Sequence, residues 1–438
     1  MGRKAGRRDF LKTSALAGAG FWVGGGAPLY SAPKSANEKL NIGCIGCGGK
    51  GRSDVRGVSG ENIVALCDVD EKRAGETFAQ HPKANKYHDF RKMLETEKLD
   101  AVTVSTPDHT HAPAALMAMR MGLHVFVQKP LTYSVYEARL LRDTAREYKV
   151  ATQMGNQGTS GRGLREGVEV IQSGAIGPVR QVHVWTNRPV WPQGLGTDRP
   201  RGMQIPNTMK WDLWLGPAPE RLYNSAYCPF NWRGWLHFGT GALGDMACHT
   251  ANLPFMALKL EHPTSVEAVS VKGFNDETFP DSSTIRFDFP ARGDLPALTF
   301  FWYDGGDMPP AEVSKPFGQL KTSGAILVGD EGSFYTPDDY GQQYVLTPQE
   351  KFAEYKPPVP TLPRSPGHYK EWLLACKGGE PAMSNFEYAG LLTETILLGN
   401  VAMRSGGAID WDGPRLRVKN NLSADQFVSR EYRNGWGI

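Results

Sequence analysis

Three glycines, Gly46, Gly48 and Gly51, follow a short apolar segment in the spacing Gly-x-Gly-x-x-Gly. In such a loop the first glycine allows a tight turn, the second lets the backbone approach a pyrophosphate, and the third lets a helix pack closely on a strand. Gly49 and Lys50 lie inside the same loop. The N–H groups that open the following helix can hold phosphate charge. The spacing therefore predicts a dinucleotide site.

An acidic residue, Asp68, stands where such a site needs an acceptor for ribose hydroxyls. It lies 17 residues beyond Gly51, at the end of the next apolar segment. A carboxylate at this place accepts hydrogen bonds from the adenosine ribose, and it repels a 2′-phosphate. We therefore expect NAD to be favoured over NADP, although Arg73 is near enough in sequence to pair with a phosphate.

Two other interpretations apply to the same loop. One is a glycine turn that binds no ligand, and the other is a redox or metal site at Cys44-x-x-Cys47. We interpret Cys44, Cys47 and Cys67 as small buried residues, because they fall within predicted strands or within the glycine loop.

Short apolar segments alternate with amphipathic ones between residues 37 and 153. The predicted strands cover residues 40–45, 62–67, 101–105, 124–127 and 150–153, and the predicted helices cover residues 70–80, 111–121 and 134–148. The last helix opens with the capping box Ser134-x-x-Glu137. Strands that alternate with helices of this length pair in parallel through right-handed crossovers. Residues 37–153 are therefore predicted to form an NAD-binding Rossmann domain, a doubly wound parallel sheet of the α/β class.

The pattern changes near residue 154, where helical signals become sparse and longer alternating strands appear. The predicted strands cover residues 180–186, 283–289 and 297–303, and two late helices are predicted over residues 367–377 and 385–404. Residues 154–438 are predicted to form an α+β domain with a large, mainly antiparallel sheet, which binds substrate and supports oligomerisation.

Two polar segments follow strands of the first domain. Thr103–His111 reads TVSTPDHTH, and Gln128-Lys129-Pro130 follows the next strand. Ligands of open α/β sheets bind at the carboxyl ends of the strands. The glycine loop, the Thr106-Pro107 and His109 segment, Lys129-Pro130 and Asp245-x-x-x-His249 together resemble the Gfo/Idh/MocA oxidoreductases, the glucose–fructose oxidoreductase and inositol dehydrogenase family. The resemblance covers essentially everything after residue 36, but the family usually has Glu-Lys-Pro where this chain has Gln128.

The resemblance implies a catalytic group that faces nicotinamide and is formed by Lys129, Asp245 and His249. Hydride transfer from a secondary alcohol needs a base for the hydroxyl proton, and a His249 with a pKa near neutrality suits that task. Lys129 can hydrogen-bond the reacting oxygen, and we expect the nicotinamide charge to lower its pKa. Asp245 lies one helical turn before His249, where it can bind substrate hydroxyls or orient the imidazole.

Further candidates surround this group. The expected cofactor contacts are Thr106, Pro107, His109, Lys129 and Asn156, and the expected substrate contacts are Lys129, Gln157, Trp232, Arg233, Asp245 and His249. Aromatic faces beside a guanidinium suit a sugar ring, although packing in the core is an equal alternative for the tryptophans. His368 and Tyr369, which open a late helix, are weaker candidates.

No metal site is predicted, because the chain has no close set of cysteines and histidines with zinc spacing. The pairs His109 with His111 and Asp245 with His249 are the alternatives from which a metal site could be built.

These residues predict an NAD-dependent oxidoreductase that takes a hydride from a secondary alcohol of a sugar, glycoside or cyclitol. We expect the cofactor to stay tightly bound and to be recycled within one active site. One alternative is an NAD-dependent glycosidase that works by transient oxidation, elimination, hydration and re-reduction. Another is a non-catalytic sugar-binding protein. The resemblance also implies a homodimer or homotetramer that assembles through the large sheet.

The pattern of the first 36 residues predicts a targeting signal rather than a folded element. Arg7-Arg8-Asp9-Phe10-Leu11-Lys12 resembles a twin-arginine signal and precedes a weakly apolar, glycine-rich stretch over residues 15–29. We therefore expect an encounter with the twin-arginine export machinery and a periplasmic or exported location. The alternative is a disordered basic tail.

Composition excludes several other classes. The 438 residues are 40% hydrophobic and 22% charged, which is ordinary for a folded domain protein. The net charge is +3, but residues 1–36 hold six basic residues against one acidic residue. The remainder has no basic surplus for polyphosphate, so no nucleic acid partner is expected. No apolar run reaches the roughly 20 residues that a spanning helix needs.

Overall fold

The computed structural model of this protein describes residues 38–196 and 198–438. The export signal predicted in residues 1–36 lies outside the described residues. Along the described chain, no helix combines the length and the apolar character that crossing a membrane requires.

A six-stranded parallel sheet is built from the first part of the chain. Its elements in chain order are β1 (Asn41–Ile45), α1 (Lys50–Val58), β2 (Asn62–Cys67), α2 (Glu71–Gln80), β3 (Asn85–Tyr87), α3 (Phe90–Thr96), β4 (Ala101–Val104), α4 (His111–Arg120), β5 (His124–Val127), α5 (Val135–Tyr148) and β6 (Thr152–Met154). The strand order is β3-β2-β1-β4-β5-β6, and every pair is parallel. The order reverses between β1 and β4, which is where doubly wound sheets bind ligands. The predicted Rossmann sheet is confirmed.

The local rules that predicted these elements operate in the structure. Ser134 caps α5: its hydroxyl accepts the Glu137 backbone N–H, and the Glu137 carboxylate accepts the Ser134 backbone N–H. Ala138, Leu141 and Ala145 form the buried face of α5. The predicted capping box is therefore confirmed.

Two elements of this sheet were not predicted. β3 and α3 lie between residues 80 and 101, where the sequence pattern predicts neither a helix nor a strand. The exposed Asn85 and Lys86 and the half-buried Tyr87 give β3 no apolar alternation. An edge strand can be this polar, since one of its sides has no neighbouring strand.

A nine-stranded mixed sheet is built from the rest of the chain. Its elements in chain order are α6 (Arg162–Gln172), β7 (Val179–Trp185), α7 (Trp211–Leu215), α8 (Gly241–Thr250), α9 (Asn252–Ala257), β8 (Ser265–Lys272), β9 (Ser282–Phe289), β10 (Leu298–Tyr303), α10 (Ala311–Ser314), β11 (Gly324–Gly329), β12 (Ser333–Thr336), β13 (Val345–Thr347), α11 (Gln349–Phe352), α12 (His368–Cys376), α13 (Phe386–Ser405), β14 (Ile409–Asp412) and β15 (Arg417–Val418). The strand order is β13-β12-β11-β7-β10-β9-β8-β14-β15. All pairs are antiparallel except β7 with β10, so the predicted α+β character with a mainly antiparallel sheet is confirmed.

The expectation that helical signals become sparse after residue 154 is wrong at α6. Leu164, Val168 and Ile171 are buried on one face of this helix, at a spacing of four and then three residues. Three glycines, at 161, 163 and 167, obscure that period in the sequence.

All six cysteines are buried thiols. Burial raises the pKa of Cys44 to about 12, and it also raises the pKa values of Cys47 and Cys67. Their interpretation as small core residues is confirmed for Cys44 and Cys47, which pack in one apolar cluster, and for Cys67, which packs in the neighbouring one.

Candidate active site

A cavity of about 480 Å³ lies at the carboxyl ends of β1, β2, β4 and β5. Its size suits a small-molecule or cofactor site. It is also walled by loops and by α8 from the second part of the chain. Twelve of the predicted site residues line it: Gly46, Gly48, Lys50, Asp68, Thr106, Pro107, Lys129, Gln157, Trp232, Arg233, Asp245 and His249.

The glycine loop has the close approaches that its spacing predicts. Gly46 has φ +80°, and a Cβ there would lie 2.5 Å from the Ser105 carbonyl oxygen. A Cβ on Gly51 would lie 1.9 Å from the Gly46 carbonyl oxygen, so α1 can pack on this loop only through glycine. Gly49, with φ +55°, is the N-cap of α1. The Arg73 side chain packs against Gly48, since a Cβ on Gly48 would lie 2.5 Å from Arg73 Cγ.

Asp68 holds the glycine loop as well as lining the cavity. Its Oδ2 accepts the backbone N–H groups of Cys47 at 2.7 Å and Gly48 at 3.1 Å, and its Oδ1 accepts that of Asp70 at 2.9 Å. Burial raises the pKa of Asp68, and the three backbone donors oppose that rise. The carboxylate thus shapes the loop in addition to the predicted ribose contact.

A segment of the second part of the chain closes over the end of β2. The Glu71 N–H donates to the Thr208 carbonyl at 2.9 Å, and the Lys210 N–H donates to the Val69 carbonyl at 2.8 Å. Met209, between them, lines the cavity together with Leu213 and Trp214. We call residues 206–215 the covering segment.

The α8 helix brings two predicted residues to the cavity from one face. Asp245 and His249 lie one turn apart, and every residue of this helix is buried. Lys129 Nζ donates to Asp245 Oδ1 at 2.9 Å and to the Asp245 backbone oxygen at 2.7 Å. Arg233 Nε donates to the same Oδ1 at 3.1 Å. One carboxylate oxygen is therefore shared by two cations.

This ion cluster sets the charge of its members. Burial lowers the pKa of Lys129, but the Asp245 carboxylate outweighs burial and the net shift is upward. Burial would raise the pKa of Asp245, yet Lys129 and Arg233 hold it well below its usual range. Lys129 is therefore a protonated hydrogen-bond donor in the described chain. Its protein neighbours raise its pKa, whereas we expect a bound nicotinamide to lower it.

His249 departs from its predicted behaviour. Burial, and then the charge of Lys129, lower its pKa well below the ordinary value, so the ring is neutral at pH 7 and does not titrate near neutrality. Its Nδ1 is buried without a hydrogen-bond partner among the described residues, and its ring packs edge-on against Tyr340 at 5.0 Å. Within that part of the chain Asp245 makes no hydrogen bond to this ring, so it orients Lys129 and Arg233 rather than the imidazole.

Aromatic rings surround the Arg233 guanidinium. Its Cζ lies 4.2 Å from the ring centre of Trp232, 4.8 Å from that of Phe230 and 5.8 Å from that of Trp191. All four side chains line the cavity. The arrangement gives flat apolar surfaces beside fixed hydrogen-bond donors, which suits the C–H face and the hydroxyls of a sugar ring.

His109 and Asn156, two of the predicted cofactor contacts, do not line the cavity, and neither do Gly49 and Gly51. The His109 ring nitrogens face the carbonyls of Phe238 at 3.1 Å and Trp214 at 2.9 Å, and burial lowers its pKa to about 3. Asn156 is fully buried, with its amide hydrogen-bonded to Ser384 and to the Cys248 carbonyl. The His109 side chain thus joins the two parts of the chain, whereas that of Asn156 links the segment after β6 to α8.

The weaker candidates also lie away from the cavity. His368 is buried, with Nε2 at 3.0 Å from the Met154 carbonyl oxygen and Nδ1 at 2.9 Å from the Ser160 hydroxyl. Tyr369 donates to Asp54 Oδ1 at 2.7 Å.

Several lining residues were missed. Asp108, within the TVSTPDHTH motif, is buried on the cavity wall, and its Oδ2 accepts the Thr240 hydroxyl at 2.7 Å. Its position between Pro107 and His109, two predicted cofactor contacts, could have identified it from the sequence. Arg188, Trp191 and Tyr340 come from irregular stretches, and the covering segment joins a loop to the five-residue helix α7, so no periodicity marks a site in any of them.

The residues present fit a dinucleotide. The loop around Gly46 and Gly51 is too close for any side chain, and α1 begins at the cavity wall. The Thr106 hydroxyl and His249 Nδ1 are buried polar atoms without a described partner. In residues 38–196 and 198–438 no group of three or more His, Cys, Asp or Glu residues is arranged to hold a metal ion.

Curated relatives match about a third of the chain. Over 166 residues the chain is 37% identical to a glycosyl hydrolase family 109 protein of Saccharopolyspora erythraea, and over 149 residues it is 33% identical to inositol 2-dehydrogenase 2 of the same organism. These matches cover 32% and 33% of this chain. They span only 36% and 44% of the relatives' own lengths.

Solved structures match most of the chain. The WlbA dehydrogenase of Chromobactrium violaceum, solved with NADH and UDP-GlcNAcA, aligns with a TM-score of 0.62 at 15% identity, covering 87% of this chain and 98% of that one. An inositol dehydrogenase homologue of Azotobacter vinelandii, solved with NADH and myo-inositol, aligns with a TM-score of 0.56 at 16% identity, covering 86% and 99%. At identities this low, the structural similarity shows a shared fold and no more.

Two family profiles complete the comparison. The NAD-binding Rossmann fold of the Gfo/Idh/MocA oxidoreductases matches residues 40–156, and the C-terminal alpha/beta domain of the same family matches residues 167–278. The two matches follow the order of the two sheets and together cover more than half of the chain. The protein belongs to the Gfo/Idh/MocA oxidoreductase family.

Proposed function

We propose that this protein is an NAD-dependent oxidoreductase that takes a hydride from a secondary alcohol of a sugar, glycoside or cyclitol. The observation that carries the proposal is the convergence of Lys129, Asp245 and His249 on the cavity that also contains the glycine loop and Asp68. Family membership supports a nicotinamide cofactor.

The chain's own residues can perform the proton chemistry of this reaction. NAD, when bound, supplies the hydride acceptor. Lys129 donates a hydrogen bond from Nζ to the substrate oxygen, because Asp245 keeps it protonated. The neutral His249 ring accepts the hydroxyl proton at its unprotonated nitrogen. Asp245 holds Lys129 and Arg233 in place throughout.

We further propose that NAD is held tightly and preferred over NADP. The covering segment supports this, because it is bonded to the backbone at Val69 and Glu71 and lines the cavity together with Asp68, where it can slow the release of a dinucleotide. The Asp68 carboxylate repels a 2′-phosphate.

The test has two stages. Mass spectrometry of the denatured protein should detect released NAD. Turnover should then appear in a panel of cyclitols, sugars and glycosides, followed by nicotinamide absorbance. Lys129→Ala and His249→Ala should lower kcat by on the order of 10²–10⁴-fold while NAD stays bound. Normal turnover of either variant would refute the assigned roles.

A second candidate function is NAD-dependent glycoside hydrolysis with no net redox change. The 37% identity to a protein named glycosyl hydrolase family 109 favours it. An aryl glycoside panel separates the two functions: release of the phenol without added oxidant supports hydrolysis, and release that requires added NAD in stoichiometric amounts excludes it.

We also propose export by the twin-arginine route, on the basis of Arg7-Arg8 and the following weakly apolar stretch. Replacing both arginines by lysine should keep the protein in the cytoplasm of an expressing bacterium. An unchanged periplasmic fraction would contradict this.

A further inference from the structure

A buried carboxylate, Asp54 of α1, lies directly behind the cavity wall. It is fully buried and does not itself line the cavity. Oδ2 accepts the Ser105 hydroxyl at 2.7 Å, and Oδ1 accepts the Tyr369 hydroxyl at 2.7 Å. The Gln128 amide donates to both oxygens, at 3.0 and 2.9 Å, and the Lys50 ammonium bonds Oδ1.

These four donors come from four separate parts of the chain. Lys50 opens α1, Ser105 follows β4, Gln128 follows β5, and Tyr369 lies in α12. Lys50, Ser105 and Gln128 all line the cavity. Leaving a buried carboxylate without partners is costly, so Asp54 holds all three in one arrangement.

The residue at position 128 has to be a donor. Its amide lies between Asp54 and Gly155, where an added Cβ would be 2.6 Å from the Gln128 Nε2. A glutamate there would place two carboxylates in contact, and like charges at that distance cannot both ionise. In this pair the carboxyl group is therefore at residue 54 and the neutral amide is at residue 128.

We propose that Asp54 is a positioning residue of the active site, which holds Lys50 at the cavity wall and, through Gln128, the adjoining backbone that carries Lys129. The inference rests on the proposed function, because it requires that the dinucleotide binds in the cavity that Lys50, Ser105 and Gln128 line. Lys50 is also among the charges that lower the pKa of His249, after burial and Lys129, so its place affects the proposed base.

An exchange of the two side chains tests this role. Asp54→Asn and Gln128→Glu should each weaken NADH binding by roughly 10-fold or more, since a hydrogen bond to a charged group is worth about that factor. The double exchange, Asp54→Asn with Gln128→Glu, restores one carboxylate and one amide to the same pair. It should bind NADH several-fold more tightly than either single variant, because the pair again holds one carboxylate and one amide. Full recovery is not expected, since the amide of Asp54→Asn has only one acceptor oxygen for Lys50, Ser105 and Tyr369. Arg56→Gln, an exposed change on the same helix, is the control.

The readouts separate positioning from stability. NADH affinity and kcat are measured per folded molecule, with the folded fraction taken from urea unfolding. Single variants that lose stability but keep wild-type affinity and kcat would overturn the proposal, and so would a double exchange that binds no better than either single change. Absence of NADH binding in the wild-type protein would instead refute the proposed function, and it would be seen before any variant is compared.

Discussion

Removing the charge of Asp245 should destabilise the protein more than removing the charge of Lys129. Asp245 Oδ1 is bonded to both Lys129 and Arg233, at 2.9 and 3.1 Å. Asp245→Asn therefore removes the carboxylate that is bonded to both of these partly buried cations. Lys129→Met leaves Asp245 still paired with Arg233.

The magnitude follows from burial. The side chains of Asp245, Lys129 and Arg233 are 8%, 16% and 21% exposed, so solvent screens the cluster only weakly. Breaking a buried ion pair costs about 3–5 kcal/mol. We expect Asp245→Asn to lower the free energy of unfolding by about that amount. Lys129→Met should lower it by clearly less.

The double variant provides the sharpest comparison. Adding Lys129→Met to Asp245→Asn removes one of the two unpaired cations, so the double variant should be more stable than Asp245→Asn alone. The assay is urea unfolding at constant NAD concentration, with the denaturant dependence compared between variants. A double variant less stable than Asp245→Asn would refute the shared-carboxylate reasoning.

Three further predictions concern the cofactor and the buried carboxylates. Asp68→Ala should weaken NADH binding by about 10-fold and narrow its preference over NADPH, as measured by fluorescence titration; an unchanged preference would contradict the role of this carboxylate. Burial raises the pKa of Asp108 to about 7, so in wild-type protein the folded state keeps a proton that the unfolded chain releases, and stability falls as pH rises from about 4 to 7. Asp108→Asn should flatten that slope in urea unfolding, and an equal slope in both proteins would show that Asp108 does not titrate there. Lys210→Pro removes the N–H that bonds Val69, so it should release NAD faster than Lys210→Ala in a dilution experiment; equal rates would exclude the covering segment as the barrier.

Much of the fold is readable in local patterns. The buried runs of β1, β4 and β5 and the capping box of α5 are each set by residues close together in sequence. Asp245 and His249, four residues apart, likewise lie on the same helical face, because α8 is one continuous helix.

Other features depend on contacts that no local pattern contains. His109 lies in a motif beside cavity-lining residues, yet its ring is bonded to carbonyls of residues 214 and 238. The pKa of His249 depends on burial and on Lys129, 120 positions earlier in the chain. The covering segment lines the cavity while its backbone pairs with residues 69–71, which lie far away in the sequence.

The central claim is that the nicotinamide ring lies beside Lys129 and His249 while the adenosine lies along Asp68. A crystal structure of the protein with NADH measures this directly. The account predicts the ring against Lys129, Asp245 and His249, with the ribose hydroxyls within hydrogen-bond distance of the Asp68 carboxylate. A dinucleotide bound outside this cavity, or bound with its nicotinamide beside Asp68, would contradict it.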